Sequence, residues 1–186
     1  MLERGSFDII LSMYICNTQK FKYNKGYLAL PIRLDSDKLP KTLFAENTAL
    51  SIKTSFHVSL MCIKNVEENT DIENIAAKIT NLFCEFIENH EIHFENFTGI
   101  FRFTERDEDG RKSLVGMCNI KNLNNFFDKV NTDLELNIPY QPTHVSLYTL
   151  NLDEAIGLNS QEDIEAMTKD VSSKLPQEFI DEIMKN

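Results

Sequence analysis

Apolar and polar positions alternate along this chain with two different periods. Two short apolar, β-prone runs, Phe56-His57-Val58-Ser59-Leu60-Met61 and Thr143-His144-Val145-Ser146-Leu147-Tyr148, alternate through their His-Val-Ser-Leu centres and predict a strand in each, the first over about 55–63. Residues 94–103 and 114–120 read as two more strands, with Asp109-Gly110 supplying the reversal between them. Gly26 to Ile32 reads as a strand whose Pro31 suggests an edge or a strand end. Steps of three and four place Ile72, Ile75, Ala76, Ile79, Leu82, Phe83, Phe86 and Ile87 on one helical face, with Thr70-Asp71-Ile72-Glu73 as its capping box. Leu123, Phe126, Phe127, Val130 and Leu134 predict a second helix, and Pro139 and Pro142 break the chain after it. A short helix is expected from near Pro40 through Leu43, Phe44 and Leu50. Residues 6–16 are apolar and fit helix or strand equally.

The order strand, helix, strand, helix, hairpin, helix, strand predicts an α+β fold with antiparallel pairing, formed by one domain over residues 1–186. Its core spans about 26–150. The tail, about 151–186, carries a capping pattern at Ser160-Gln161-Glu162-Asp163 followed by Ile164, Met167 and Val171. Beyond Pro176 come Phe179, Ile180, Ile183 and Met184, so one or two helices are expected there, packed on the domain or binding a partner.

The tetrapeptide His-Val-Ser-Leu occurs twice, at 57–60 and 144–147, and holds two of the chain's four histidines. Side chains at i and i+2 of a strand share a face. His57 and Ser59 therefore point one way, as do His144 and Ser146, while the Val and Leu of each copy point into a core. Side by side, the two strands would bring two imidazoles and two hydroxyls together, which is a general acid/base pair with hydroxyl donors beside it.

Composition narrows the partners. With 19 basic and 29 acidic residues the formal net charge is −10. Such a surface repels polyanions over about a Debye length, roughly 8 Å at physiological salt. A groove for long nucleic acid is not expected, although a small phosphorylated ligand can sit in a locally positive cleft. The four cysteines, Cys16, Cys62, Cys84 and Cys118, are widely spaced, and reduced buried thiols in a cytoplasmic protein are the expectation. No close Cys or His pairs suggest a structural metal, and His90-x-x-His93 falls where a helix gives way to a strand. Glu105 to Asp109 lacks the carboxylate spacing of a calcium loop and reads as a charged hairpin turn. No apolar run has membrane-spanning length, and Ile9 to Cys16 lacks the basic flank of a signal peptide. No membrane partner is expected.

Two H-x-[ST] motifs in apolar strands, half a domain apart, resemble those of the 2H phosphoesterase superfamily, which includes RNA 2′,3′-cyclic phosphodiesterases (the 2′,5′ RNA ligase-like proteins) and 2′,5′-oligoadenylate phosphodiesterases. The resemblance covers roughly residues 26–150. It implies two pseudo-symmetric lobes with antiparallel sheets around a central cleft and helices outside. It also implies a metal-independent, cofactor-free hydrolase acting on a cyclic phosphate or a short 2′,5′-linked oligonucleotide. His57 and His144 would be the acid/base pair, and Ser59 and Ser146 would hold phosphate oxygens. Two departures are visible. Both motifs carry Ser where Thr is frequent, and Thr143 stands between Pro142 and His144 where many relatives place Pro directly before His. Neither removes a reacting group.

Further candidates flank the motifs. Tyr148 lies at i+4 from His144 and would either line the cleft and stack on a base or pack at the strand end. Lys53, four residues before His57, would either neutralise phosphate or be solvated. Arg102, between Phe101 and Phe103, faces cleft or solvent, and Tyr27 and Tyr140 are candidates for the cleft wall. The expected partner is a small nucleotide or short oligonucleotide, bound by a cytoplasmic monomer, in the host cytoplasm if a virus or pathogen encodes it. A second reading is a catalytically silent nucleotide- or phosphate-binding module.

Overall fold

The computed structural model describes residues 13–16, 18, 20–152 and 154–186. The expectation for 6–12 lies outside the described residues. The strands are β1 (Met13–Tyr14), β2 (Lys22–Asn24), β3 (Tyr27–Ile32), β4 (Thr42–Ala45), β5 (Thr48–Ile52), β6 (Phe56–Cys62), β7 (His93–Arg106), β8 (Arg111–Lys121), β9 (His144–Thr149) and β10 (Thr168–Asp170). The helices are α1 (Ile63–Glu68), α2 (Ile75–Asn89), α3 (Leu123–Asp133), α4 (Gln161–Met167) and α5 (Gln177–Ile183). All described strand pairings are antiparallel. The expected mixed α/β class with an antiparallel sheet is thus observed. The strands do not form two separate sheets, however. They join into one sheet of ten in the order β1-β2-β3-β6-β9-β8-β7-β10, with β4 and β5 attached through β9.

This order sets the two His-Val-Ser-Leu strands next to each other in the middle of the sheet. Their register pairs Val58 with Val145. Val58, Leu60, Val145 and Leu147 are fully buried on the core face. On that face α2 contributes Ile75, Ile79, Phe83 and Phe86 at helical spacing, and α3 contributes Leu123, Phe126, Phe127 and Val130. Phe83 meets Phe126 edge to face at 5.1 Å, and Phe21 meets Phe83 at 4.9 Å, so β-edge and both helices share one aromatic cluster.

Three local expectations fail for physical reasons. The segment after Pro40 is the β4–β5 hairpin, not a helix. Ala45 pairs with Thr48 around Glu46 and Asn47, both at positive φ (47° and 59°), which is the two-residue turn that matches strand twist. Leu43 and Ala45 are buried while Phe44 is 70% exposed, a period of two that outweighs helix propensity. The capping box at 70–73 does not cap: α2 begins after Asn74, itself left-handed at φ 56°, and Ile72 packs on the core from outside the helix. Helix α1 follows β6 directly, in a stretch to which the sequence analysis assigned no element. Cys16 and Cys84 are joined in a disulfide, so only Cys62 and Cys118 are the buried free thiols among the described residues. The two partners are 68 residues apart in sequence, and only the packing of the β1–β2 edge over α2 brings them together.

The tail behaves as expected in part. Ser160 caps α4 by accepting from the Asp163 backbone N–H, and Phe179 and Ile183 of α5 are buried in the main core. Between them, β10 adds a strand to the β7 edge. No described helix is long and apolar enough to cross a membrane.

Closing a loop of 68 residues removes about 4 kcal/mol of unfolded-chain entropy. Reduction of Cys16–Cys84 is expected to lower unfolding free energy by up to that amount in urea titrations, and Cys84→Ser should match the reduced protein. Equal stability with and without reductant would contradict the crosslink.

Candidate active site

The chemistry of this sheet lies on its second face. Antiparallel pairing of Val58 with Val145 sets His57 opposite Ser146 and Ser59 opposite His144. Each imidazole therefore has the hydroxyl of the other copy as its cross-strand neighbour. All four side chains line one cleft of about 370 Å³, together with Asn24, Lys25, Tyr27, Ala29, Lys53, Arg106, Arg111 and residues 154–157. That volume is at the small end of ligand pockets.

Each strand carries an irregularity at the same place in the motif. Leu28 pairs with Met61 and Ala29 with Ser59, so Leu60 is the extra residue of a β-bulge. Leu114 pairs with Tyr148 and Val115 with Ser146, so Leu147 is the extra residue in the second copy. A bulge reverses the alternation beyond it. This is why Met61 and Tyr148, expected on the face of the histidines, are instead fully buried in the core. Tyr148 does not line the cleft: its hydroxyl donates to the Pro40 carbonyl at 2.8 Å, and burial pushes its pKa up.

The segment before β9 is held on both sides. Gln141 Oε1 accepts from the Cys62 backbone N–H at 2.8 Å, and Thr143 donates its hydroxyl to the Cys118 carbonyl at 2.5 Å. The Thr between Pro142 and His144 thus has a structural partner of its own. Lys53 follows β5, is only 5% exposed, and donates its backbone N–H to the carbonyl of the bulged Leu147 at 3.0 Å. Its side chain lines the cleft beside the imidazoles.

Burial disfavours the protonated form of both histidines. Desolvation first, then the charge of Lys53, with His144 and Lys22 behind it, pushes His57 down from 6.5 to about 4. His144 is lowered by desolvation and by Lys53, opposed by the Pro142 carbonyl, which lies 3.4 Å from Nδ1. A proton on Nδ1 facing that carbonyl leaves Nε2 with a free lone pair.

Of the other expected residues, Tyr27 and Lys53 are in the cleft and two are not. Arg102 is on the cleft face of β7 but is covered by the tail, where its Nε donates to Thr168 Oγ1 at 2.5 Å. Tyr140 is 50% exposed on the outside, donating its hydroxyl to Asp128 at 2.6 Å. The histidines at 90 and 93 also lie elsewhere: His90 stacks on Phe86, and His93 lies 3.3 Å from Glu91. Among the described residues no three His, Cys, Asp or Glu side chains gather as metal ligands would.

Sequence reasoning missed one wall of the cleft entirely. Val115, Ile156, Leu158 and Ile164 form a small second core on the cleft face, which straps the start of the tail across the sheet. The strap passes so close to Tyr27 that a Cβ on Gly157 would lie 2.7 Å from the Tyr27 hydroxyl. Asn159 reaches the same hydroxyl at 3.4 Å, and Arg111 Nη1 donates to the Ala155 carbonyl at 3.1 Å. Arg106 and Arg111, paired across the end of the β7–β8 hairpin, also line the cleft. Their signal in the sequence was a charged turn, and only the register shows which face they take.

Comparison of the chain with protein-family models, curated proteins and solved structures finds no match in any of the three. The site therefore stands on its own geometry.

The depressed imidazole pKa values tie stability to pH. Between about 6.5 and about 4 the unfolded chain binds a proton at His57 that the folded protein does not, so stability falls as the pH drops through that window. Urea denaturation is expected to give a lower unfolding free energy at pH 5.5 than at pH 7, above the range where carboxylates titrate. His57→Gln should reduce that difference to the part that His144 supplies, and an undiminished difference in the variant would contradict the assignment.

Proposed function

We propose that this protein is a phosphodiesterase of the 2H type, hydrolysing 2′,3′-cyclic phosphates or short 2′,5′-linked oligonucleotides by paired-histidine acid/base catalysis without a metal. The observation that carries the reading is the cross-strand square of His57, Ser146, Ser59 and His144 on one face, opening into a cleft with the buried Lys53. It is the arrangement that the resemblance of the two motifs implies. The cleft also holds Lys25, Lys53, Arg106 and Arg111 against one carboxylate, Glu154, in a chain of net charge −10. A local excess of cations in an acidic protein favours a small anionic substrate.

Hydrolysis needs a base for water and an acid for the leaving oxygen. His144, with its Nδ1 turned to the Pro142 carbonyl, takes the proton of the attacking water on Nε2. The water oxygen bonds to phosphorus as the bond to one ribose oxygen breaks. His57 delivers a proton to that departing oxygen, leaving a phosphomonoester and a free hydroxyl. Ser59 and Ser146 donate to the non-bridging oxygens, and Lys53 offsets the charge that gathers on them. A bound phosphate raises the pKa of both imidazoles, so binding itself protonates the acid.

His57→Ala and His144→Ala are each expected to lower kcat on adenosine 2′,3′-cyclic phosphate in EDTA by about 10²–10⁴-fold. Loss of a hydroxyl donor in Ser59→Ala should cost about ten- to a hundredfold, the worth of a hydrogen bond to a charged group. Tight binding of the nucleotide without turnover in the wild type would favour the silent binding module instead.

The pH dependence follows from the same groups. Because both imidazoles are depressed in the free protein, kcat/KM should be bell-shaped with its maximum on the acid side of 6.5, and the maximum of kcat should lie at higher pH. A monotonic profile would count against two titrating imidazoles.

A further inference from the structure

We propose that Lys25, Arg106 and Arg111 form a second anion subsite in this cleft, so that the preferred substrate is a phosphodiester carrying a further phosphate rather than a lone nucleoside cyclic phosphate. The inference rests on the histidine centre as the place where the reacting phosphate sits, and it adds what lies at the other end of the same cleft.

The cations of the cleft fall into two groups. Lys53 is buried beside the imidazoles, and its charge bears on both of them. Arg106 and Arg111 are instead neighbours of Tyr27: the charge of Arg106 acts on the Tyr27 phenol, and that phenol acts on Arg111. Neither arginine is among the charges that move His57. The register gives the scale of the separation. Val115 is opposite Ser146 and Arg111 is four residues earlier on β8, so at ~3.3 Å per residue the two positions are about 13 Å apart along the strand. The arginine side chains close part of that distance, which leaves room for a ribose between two phosphates.

The second group is built rather than scattered. Arg111 is fixed by Asp109, with Nε and Nη2 each 2.7 Å from Oδ2, and by the Ala155 carbonyl, so it anchors the strap that walls the cleft. Arg106 is held loosely, 3.5 Å from Glu108 and 3.9 Å from Asp109, with its side chain 42% exposed, and is the guanidinium able to turn to a ligand. Lys25 lines the same cleft from the two-residue turn between β2 and β3 that Gly26 closes at φ 84°. A planar guanidinium and a lysine lining one cleft suit a terminal phosphate, which Arg binds through paired N–H donors.

The test is calorimetric titration of the full chain with adenosine 2′-phosphate and with adenosine 2′,5′-bisphosphate, for wild type, Arg106→Gln and Arg106→Lys. The wild type is expected to bind the bisphosphate about tenfold or more tightly than the monophosphate, the worth of a charge-assisted contact. Arg106→Gln should bring that ratio close to one, and Arg106→Lys should retain part of it. A wild-type ratio near one, or an unchanged ratio in Arg106→Gln, overturns the subsite. Hydrolysis of adenosine 2′,3′-cyclic phosphate is followed in parallel. Absence of turnover with the binding ratio intact counts against the acid/base reading and leaves the subsite standing.

Discussion

The pairing of Val58 with Val145 is the contact on which the rest of this molecule depends. It places two copies of one tetrapeptide antiparallel at the centre of the sheet. The valines and leucines of both go into a single core, and the histidines and serines of both go to a single face. A shift of one residue in that register would turn each imidazole toward the core. The burial of Val58, Leu60, Val145 and Leu147 therefore holds the site as well as the fold.

The site is set against a thermodynamic preference of its own residues. Taking two imidazoles and a lysine out of water disfavours positive charge on the imidazoles, and Lys53 adds repulsion. Both pKa values are lowered as a result. An anion would offset the Lys53 charge and favour the protonated imidazoles, while the desolvation remains. The burial from which acid sensitivity is predicted is thus also what the proposed function uses, since it leaves buried cationic charge for a negatively charged ligand to offset. The bulges at Leu60 and Leu147 sharpen the boundary, since they return Met61 and Tyr148 to the core immediately beyond the serines.

The tail is part of the cleft rather than an appendage. Ile156 and Leu158 join Val115 on the sheet's second face, and the absence of a side chain at Gly157 lets the strap lie against the Tyr27 hydroxyl. Further along the tail, Thr168 of β10 covers Arg102, while Arg106 and Arg111 are left lining the cleft. Arg102 and Arg106 share a face of β7, so their different fates come from what the tail covers and not from their strand.

Elements with a strong period were legible in the sequence: both His strands, the hairpin around Asp109-Gly110, and the apolar faces of α2 and α3 follow from alternation or from steps of three and four. So were the four residues of the motifs, because a repeated segment with alternating polarity has one reading. The helix expected after Pro40 became a hairpin because Glu46 and Asn47 adopt left-handed backbone without a glycine to announce it. Tyr148 was misplaced because a bulge is a property of two paired strands and leaves no trace in one of them. Tyr140 and Arg102 were resolved by partners far along the chain or across a loop, Asp128 and Thr168. The Cys16–Cys84 bond removes the argument that placed this chain in a reducing compartment, and spacing alone could not have paired those residues. Local order thus determined which side chains share a strand face. Which strands lie together, which cations join the histidines and what covers them were decided by long-range burial, since apolar surface carries no address until the whole sheet closes over it.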